Sequence, residues 1–79
     1  MKQFSQSKED AISRALVQSS EKKESVLVIY VHGEGHRIVD NDFDLNRFYY
    51  HGKGGRKTFF TYIAEVFPGG LVNYNEKAA

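Results

Sequence analysis

One uninterrupted apolar run dominates this sequence, because residues 25–32 read SVLVIYVH. β-Branched and aromatic side chains favour extended backbone, and the run is too short for a buried helix. We therefore predict a central strand here. Gly33 and Gly35 supply the positive φ angles that a three-residue hairpin loop requires, so residues 36–39 are predicted to return as an antiparallel strand. A turn follows at residues 40–42, which read DND.

The stretch before this strand is predicted to be a helix. It begins at Ser7, which has capping-box spacing to Asp10. Apolar residues then recur at helical spacing, at Ala11, Ile12, Ala15 and Leu16. The polar run SSEKKES, residues 19–25, is predicted to connect the helix to the strand.

The second half of the chain contains one ambiguous segment. Residues 46–51, NRFYYH, are predicted to form a third strand, and the glycines after it end that strand. In residues 58–67, TFFTYIAEVF, residue type favours a strand, but a helical wheel gathers most of the apolar side chains on one side. Because periodicity is the primary indicator, we predict a helix that ends at Pro68. Residues 71–74 are predicted to form a short strand or a docked tail.

The predicted fold class is α+β, with one small domain over residues 1–79. Its order is helix, three-stranded antiparallel sheet, helix, and a short C-terminal strand or tail. The two helices are expected to cover one face of the sheet and to leave the other face open. If residues 58–67 are a strand instead, the alternative is a four- or five-stranded meander with one helix. Residues 1–6 and 75–79 are predicted to be flexible.

Composition narrows the class of protein. A chain of 79 residues with 41% hydrophobic content supplies one modest core, and the absence of cysteine excludes disulfides and thiolate zinc sites. No apolar run approaches the roughly 20 residues needed to cross a bilayer, and the first residues lack the apolar segment of a secretory signal. We therefore expect a cytoplasmic protein with no membrane partner. The net charge of +1 argues against a protein that coats polyanions.

The most suggestive motif is GKGGRKT, residues 52–58, which we call the basic loop. Glycines let backbone N–H groups approach a phosphate, and Lys53, Arg56 and Lys57 add positive charge. Arg56 stands where a Walker A motif requires glycine, so we do not predict nucleotide hydrolysis. The alternative is a solvated loop that only separates two elements.

Two polar clusters raise the question of a metal site. His32 and His36 flank the hairpin loop and could form a three-histidine site with His51, although exposed hairpin histidines are the simpler interpretation. The three aspartates of residues 40–44 alternate as in a calcium-binding loop, but Leu45 replaces the glycine that such a loop requires. We therefore predict no metal and no cofactor, and we interpret the aspartates as a polar turn.

Five tyrosines and six phenylalanines make the chain rich in aromatic rings. Phe48, Tyr49 and Tyr50 are adjacent, so at least one of these rings faces each side of a strand. Rings beside Arg47 and the basic loop can stack on unpaired bases or anchor a protein interface. The alternative is that all rings lie in or against the core.

The predicted order of elements, with His36 after the first hairpin loop and the basic loop before the last helix, resembles the double-stranded-RNA-binding domain. That resemblance implies that the hairpin loop contacts the minor groove and that Lys53, Arg56 and Lys57 contact phosphates across the major groove. The pair Gly35 and His36 also resembles the turn and active-site histidine of HicA-type toxins, which share this fold and cleave RNA. That second resemblance implies a ribonuclease that uses His36.

We predict from these features a non-enzymatic binding module that engages a nucleic acid or a nucleoprotein complex. The alternatives are a small regulator of the phage-inhibitor type, which acts by protein–protein contact, and the HicA-like ribonuclease. The sequence does not distinguish RNA, DNA and protein as the partner, and it does not indicate an oligomeric state. The candidate binding residues are Arg47, Tyr49, Tyr50, Lys53, Gly54, Gly55, Arg56, Lys57 and His36.

Overall fold

The computed structural model describes residues 7–76, except for the side chain of Lys53. Residues 1–6 and 77–79, which belong to the segments predicted to be flexible, lie outside this range. The described chain is α+β, as predicted, with one helix and six strands. These elements are α1 Lys8–Lys22, β1 Val26–Val31, β2 Gly35–Asp40, β3 Tyr50–His51, β4 Lys57–Thr58, β5 Phe60–Val66 and β6 Val72–Tyr74, with a 3-10 turn at Lys53–Gly55.

Helix α1 begins where its cap was predicted. The hydroxyl of Ser7 accepts a hydrogen bond from the backbone N–H of Asp10 at 3.0 Å, which satisfies one of the free donors of the first turn. Ala11 and Ala15 lie buried on the face that the spacing predicts. The helix ends at Lys22, inside the run predicted as a connector, and the ammonium of Lys22 forms an ion pair with Asp40. The hydrogen bond that Lys22 donates to this carboxylate raises the pKa of Lys22.

The main sheet has four antiparallel strands in the order β2-β1-β5-β6, with β1 in a central position as predicted. The β1–β2 hairpin closes through a three-residue turn, in which the N–H of Glu34 donates to the carbonyl of Val31 at 2.9 Å. Gly33 adopts φ +81° in that turn, a conformation that side chains oppose. The predicted hairpin is therefore confirmed.

Both faces of this sheet are covered. On one face, α1 packs through Ala11 and Ala15 against a cluster that includes Val28 and Val66. The alternate side chains of β1 point to the other face and are also buried, namely Leu27, Ile29 and Val31. Residues 41–59, which we call the cover segment, reach this second face through Phe43, whose ring contacts Phe60. The prediction of an open face is therefore wrong.

The anchor of the cover segment is an aromatic contact. The Phe43 ring packs edge-on against Phe60 with 5.3 Å between ring centroids, and Phe60 pairs with the buried Val31 in the sheet register. An edge-to-face ring pair adds about 0.5–1.5 kcal/mol beyond the apolar area that it buries. This contact fixes the first part of the cover segment on the sheet.

The predicted second helix is wrong, because residues 60–66 form strand β5. A β-bulge explains the misleading periodicity. Val28 of β1 pairs with Ala64 and the next residue, Ile29, pairs with Tyr62, so Ile63 is the extra residue on β5. Ile63 packs on the same cluster as Ala64, whereas Phe60 lies under the cover segment. A bulged strand with both faces covered thus places apolar residues at a spacing that imitates a helix.

The predicted third strand is also corrected. Only Tyr50–His51 are extended, and they pair with Lys57–Thr58 in a separate two-stranded sheet. The preceding residues are turned, because the side chain of Asp44 accepts a hydrogen bond from the N–H of Asn46 at 2.9 Å. The third strand of the main sheet is β5, which lies next to β1.

The short C-terminal strand is confirmed as β6, at the edge of the main sheet. Asn75 follows it, at the start of the predicted flexible tail. Its N–H donates to the carbonyl of Ile63 at 2.8 Å, and its side-chain amide donates to the carbonyl of Tyr62 at 2.9 Å. No helix in the described part of the chain has the length and apolar character that a membrane span requires.

Candidate binding cleft

The cover segment ends in a small hairpin that carries the basic loop. Strands β3 and β4 pair Tyr50 with Thr58 and His51 with Lys57. Between them the N–H of Gly52 donates to the carbonyl of Arg56 at 2.9 Å, which closes the turn. Gly54 and Gly55 adopt φ angles of +73° and +76° at its tip, so this turn depends on glycine. The predicted break after His51 is confirmed.

A carboxylate from the main sheet holds this hairpin in place. Glu34 lies in the β1–β2 turn with its side chain only 12% exposed, and it accepts a hydrogen bond from the hydroxyl of Thr58 at 3.0 Å. The guanidinium of Arg56 lies 3.6 Å from the same carboxylate. Because the charge of Arg56 is partly neutralised by Glu34, Arg56 attracts an anionic ligand less strongly than an unpaired arginine would.

Aromatic and cationic side chains line an open cleft on the outside of the cover segment. We call it the aromatic cleft, and its volume is about 400 Å³. Its walls are Arg47, Phe48, Tyr49 and His51. Phe48 is 79% exposed, the highest value among the large apolar side chains of residues 7–76. A ring exposed to this extent is a common feature of binding surfaces.

Two cations stand next to these rings. The ammonium of Lys57 lies 4.8 Å from the centroid of the Tyr49 ring, and the guanidinium of Arg47 lies 5.8 Å from that of Phe43. Both distances are within the range of a cation–π interaction. Within residues 7–76, neither Arg47 nor Lys57 forms an ion pair with a carboxylate. Their charges are therefore available to an anionic ligand.

The rings of the cleft are ordered by their neighbours. Tyr49 meets His51 at 66° with 5.6 Å between centroids, so one edge of the Tyr49 ring is fixed while Lys57 stands near its face. Tyr50 points the other way, towards Phe43, at 6.1 Å. These contacts place the Tyr49 ring on the outer side with His51 and Lys57, and the Tyr50 ring on the inner side with Phe43.

The structure brings together only some of the residues that the sequence proposed as a binding site. Arg47, Tyr49 and Lys57 gather at the aromatic cleft. Gly54 and Gly55 lie in the 3-10 turn at the hairpin tip, which also contains the backbone of Lys53. The remaining residues point elsewhere, with Arg56 at Glu34, Tyr50 at Phe43 and His36 beside Tyr30.

His36 is separated from the cleft by the sheet. It pairs with Tyr30 in the register, and the alternation along β1 places Tyr30 on the same face as Val28, which packs against α1. The cover segment lies on the opposite face. The rings of His32 and His36 both contact Tyr30, and Nε2 of His32 lies 2.8 Å from the hydroxyl of Thr61.

The sequence interpretation did not assign two residues to the site, Phe48 and His51. The adjacency of Phe48, Tyr49 and Tyr50 indicated that some rings face outward, but not which ones. Phe48 and Tyr49 both lie before the first residue of β3, with Phe48 in a bend, so strand alternation does not apply to them and both are exposed. His51 could be assigned only once its pairing with Lys57 was known.

The described part of the chain has no group of three histidine or acidic side chains that could hold a metal ion. His51 stands with Tyr49, whereas the other two histidines stand with Tyr30. The aromatic cleft thus places exposed rings next to cations. Comparison with family models, curated proteins and solved structures gives no match in any of the three searches.

Proposed function

We propose that this protein is a non-enzymatic binding module that engages a nucleic acid, free or within a nucleoprotein complex, through the aromatic cleft and Lys57. The observation that supports the proposal most is the position of the Lys57 ammonium, 4.8 Å from the centroid of the Tyr49 ring at the protein surface. A cation next to a partly exposed ring can form an ion pair with a phosphate while a base stacks on the ring.

The distribution of charge supports an anionic ligand. The net charge is only +1, so long-range attraction is weak and local charges must supply the contacts. Arg47 and Lys57 have no carboxylate partner among the described residues, whereas Lys22 and Arg56 are paired with Asp40 and Glu34. Two cations without an ion pair thus stand beside the cleft, whereas Lys8 and Lys23, which also lack one among the described residues, lie on or next to α1.

Two observations move the proposed contact surface from the basic loop towards the cleft. The N–H of Gly55 donates to the carbonyl of Gly52 at 3.0 Å, so it is already used within the turn. Arg56 is held by Glu34. Among the loop residues whose side chains the structure describes, Lys57 is therefore the main candidate for phosphate contacts, and we assign the binding energy to Lys57, Arg47 and the rings.

Direct binding tests this proposal. Labelled DNA and RNA oligonucleotides of about 16 nucleotides, single-stranded and duplex, are titrated with the protein at low salt, a length that covers the site size of small single-strand-binding folds. We expect binding to at least one probe and a clear loss of affinity in Lys57→Ala. The matched control is Lys8→Ala, because Lys8 lies at the start of α1 beside Tyr74. Absence of binding to every probe would contradict the proposal.

A protein partner is the second candidate, and the exposure of Phe48 favours it. Exposed aromatic anchors dominate the energy of many protein interfaces, and Tyr49 and Arg47 are of the types found most often at such positions. In that case a protein is retained in an affinity pull-down after nuclease treatment, and Phe48→Ala releases it. Loss of the captured material on nuclease treatment would instead support the nucleic-acid proposal.

A further inference from the structure

We infer that the ligand of the aromatic cleft is a single-stranded nucleic acid whose unpaired bases stack on Phe48 and Tyr49. This inference rests on the proposed function and adds the class of ligand. It separates single strands from the duplex that the sequence resemblance suggested, and the argument uses the exposure of the rings, the shape of the cleft and the positions of the duplex-contacting residues.

The exposed rings of the cleft suit a ligand with an apolar face. Phe48 is 79% exposed and Tyr49 is 36% exposed, and both border the same cleft. Unpaired bases offer flat π-faces that cover such rings, and stacking is tolerant of base identity. In a duplex the base faces are already stacked on each other, so these rings would have only phosphates and sugars to contact.

The cleft is also compact. Its volume of about 400 Å³ lies at the lower end of the range of about 300–1,000 Å³ typical of small-molecule sites, which suits one or two nucleotide units. Lys57 stands at Tyr49 and Arg47 is itself part of the wall, so cations are placed where a backbone would leave the stacked bases. In such a site the ring can stack on a base while the cation binds the phosphate of the same nucleotide.

The contact points for a duplex do not share a surface. The resemblance implied that His36 in the hairpin region and cations at the start of a last helix contact successive grooves. Strand β5 replaces that helix, and His36 lies on the α1 side of the sheet, whereas the cleft belongs to the cover segment on the other side. A rigid duplex cannot contact both, so the geometry favours a single strand.

Two groups of the cleft wall are held by neighbouring rings. Arg47 stands over the ring of Phe43, which itself packs on Phe60 of the main sheet, and Tyr49 contacts His51. Arg47 and Tyr49 are therefore positioned before the ligand arrives, which lowers the entropy cost of binding.

The experiment compares one oligonucleotide of about 16 nucleotides as a single strand and as the duplex with its complement, at the same salt concentration and as both DNA and RNA. We expect the single strand to bind about 10-fold tighter or more than the duplex. Phe48→Ala should weaken single-strand binding by about 5- to 150-fold, the effect of losing one stacked base. Phe48→Tyr keeps a stacking face and should retain the affinity.

The matched control is Phe59→Ala, because Phe59 is 65% exposed but does not line the cleft. It should leave both affinities unchanged. Phe48→Leu, which keeps an apolar side chain without a flat ring, should lose affinity as Phe48→Ala does. Equal or tighter binding of the duplex, with Phe48→Ala unaffected and Lys57→Ala weakened, would overturn this inference and leave the proposed function standing. No binding of either form would overturn both.

Discussion

The carboxylate of Glu34, in the β1–β2 turn, accepts a hydrogen bond from the hydroxyl of Thr58, on β4, at 3.0 Å. This bond joins the main sheet to the hairpin that carries the basic loop. Hydrogen bonds to charged groups contribute about 1.5–3 kcal/mol, so we expect Glu34→Ala to lower the free energy of unfolding by about that amount. Urea denaturation followed by circular dichroism measures it.

Glu21→Ala is the control for this prediction. Glu21 lies on the exposed side of α1, and its removal should change the free energy of unfolding by less than about 0.5 kcal/mol. If Glu34→Ala is as mild as Glu21→Ala, the proposed link between the turn and the hairpin does not contribute to stability.

Gly52 and Glu34 are expected to be energetically coupled. A Cβ atom at position 52 would lie 2.9 Å from Oε2 of Glu34, although φ of −85° is open to any residue. Gly52→Ala should therefore destabilise the native protein, and by less when Glu34 is already alanine. A double-mutant cycle in urea should give a coupling of about 0.5 kcal/mol or more.

Gly54→Ala provides the contrast to this cycle. Gly54 has φ +73° and open space around its Cα atom, so its replacement is opposed by backbone strain alone. Its cost should add independently to that of Glu34→Ala. A cycle that is additive for Gly52 and coupled for Gly54 would contradict the described geometry.

Tyr62 makes the stability depend on pH in the alkaline range. Burial raises the pKa of Tyr62 above its ordinary value of 10.0, with a further contribution from the nearby charge of Glu65. The native state then holds the phenol proton more tightly than the unfolded state, so the free energy of unfolding falls as pH rises above 10.0. Tyr62→Phe should show a smaller fall.

Tyr74→Phe, which changes a ring on the edge strand that is 52% exposed, is the matched control and should follow the wild-type curve. Urea denaturation at a series of alkaline pH values gives the curves. Identical slopes for the wild type and Tyr62→Phe would mean that Tyr62 does not contribute to the alkaline loss of stability.

The sequence predicts the parts of the fold that local chemistry determines. Ser7 caps α1, the run 25–32 contains the central strand, and Gly33 lies in the predicted turn. Each of these outcomes depends on neighbouring residues, through a cap, a dense set of β-branched side chains or a positive φ angle. These predictions are confirmed.

The wrong predictions, the second helix and the open sheet face, concern features that depend on contacts between residues distant in the sequence. The bulge at Ile63 exists only because β5 pairs with β1, and it changes the face that each later residue presents. Leu27 and Ile29 are buried on the second face of the sheet, and the cover segment reaches that face through the contact between Phe43 and Phe60. Neither relationship is visible in the local pattern of one sequence.

The site is predicted in the same partial way. Residue types drew attention to Arg47, Tyr49 and Lys57, and the structure brings these three residues together at the aromatic cleft. Arg56 points to Glu34, which is 22 residues earlier in the sequence. Tyr50 points to Phe43, which is 7 residues earlier. Such partners become evident only once the chain is folded.

RNA incubated with the protein should stay intact. Cleavage needs a general base and a general acid at the site that binds the RNA. The aromatic cleft is lined by His51 but by neither His32 nor His36, which lie around Tyr30 on the α1 side of the sheet. Gel analysis of structured and single-stranded RNA, with His36→Ala in parallel, provides the check. Cleavage by the wild type that disappears in His36→Ala would establish the ribonuclease alternative.

The salt dependence of binding tests the central claim most directly. The affinity of the wild type and of Arg47→Ala/Lys57→Ala for a single-stranded oligonucleotide is measured from about 50 to 200 mM salt, where each phosphate contact contributes about 0.7 to the slope of log K against log salt concentration. We predict a linear fall for the wild type and a slope shallower by about 1.4 in the double variant, with Lys8→Ala unchanged. Equal slopes for the wild type and the double variant would contradict the account.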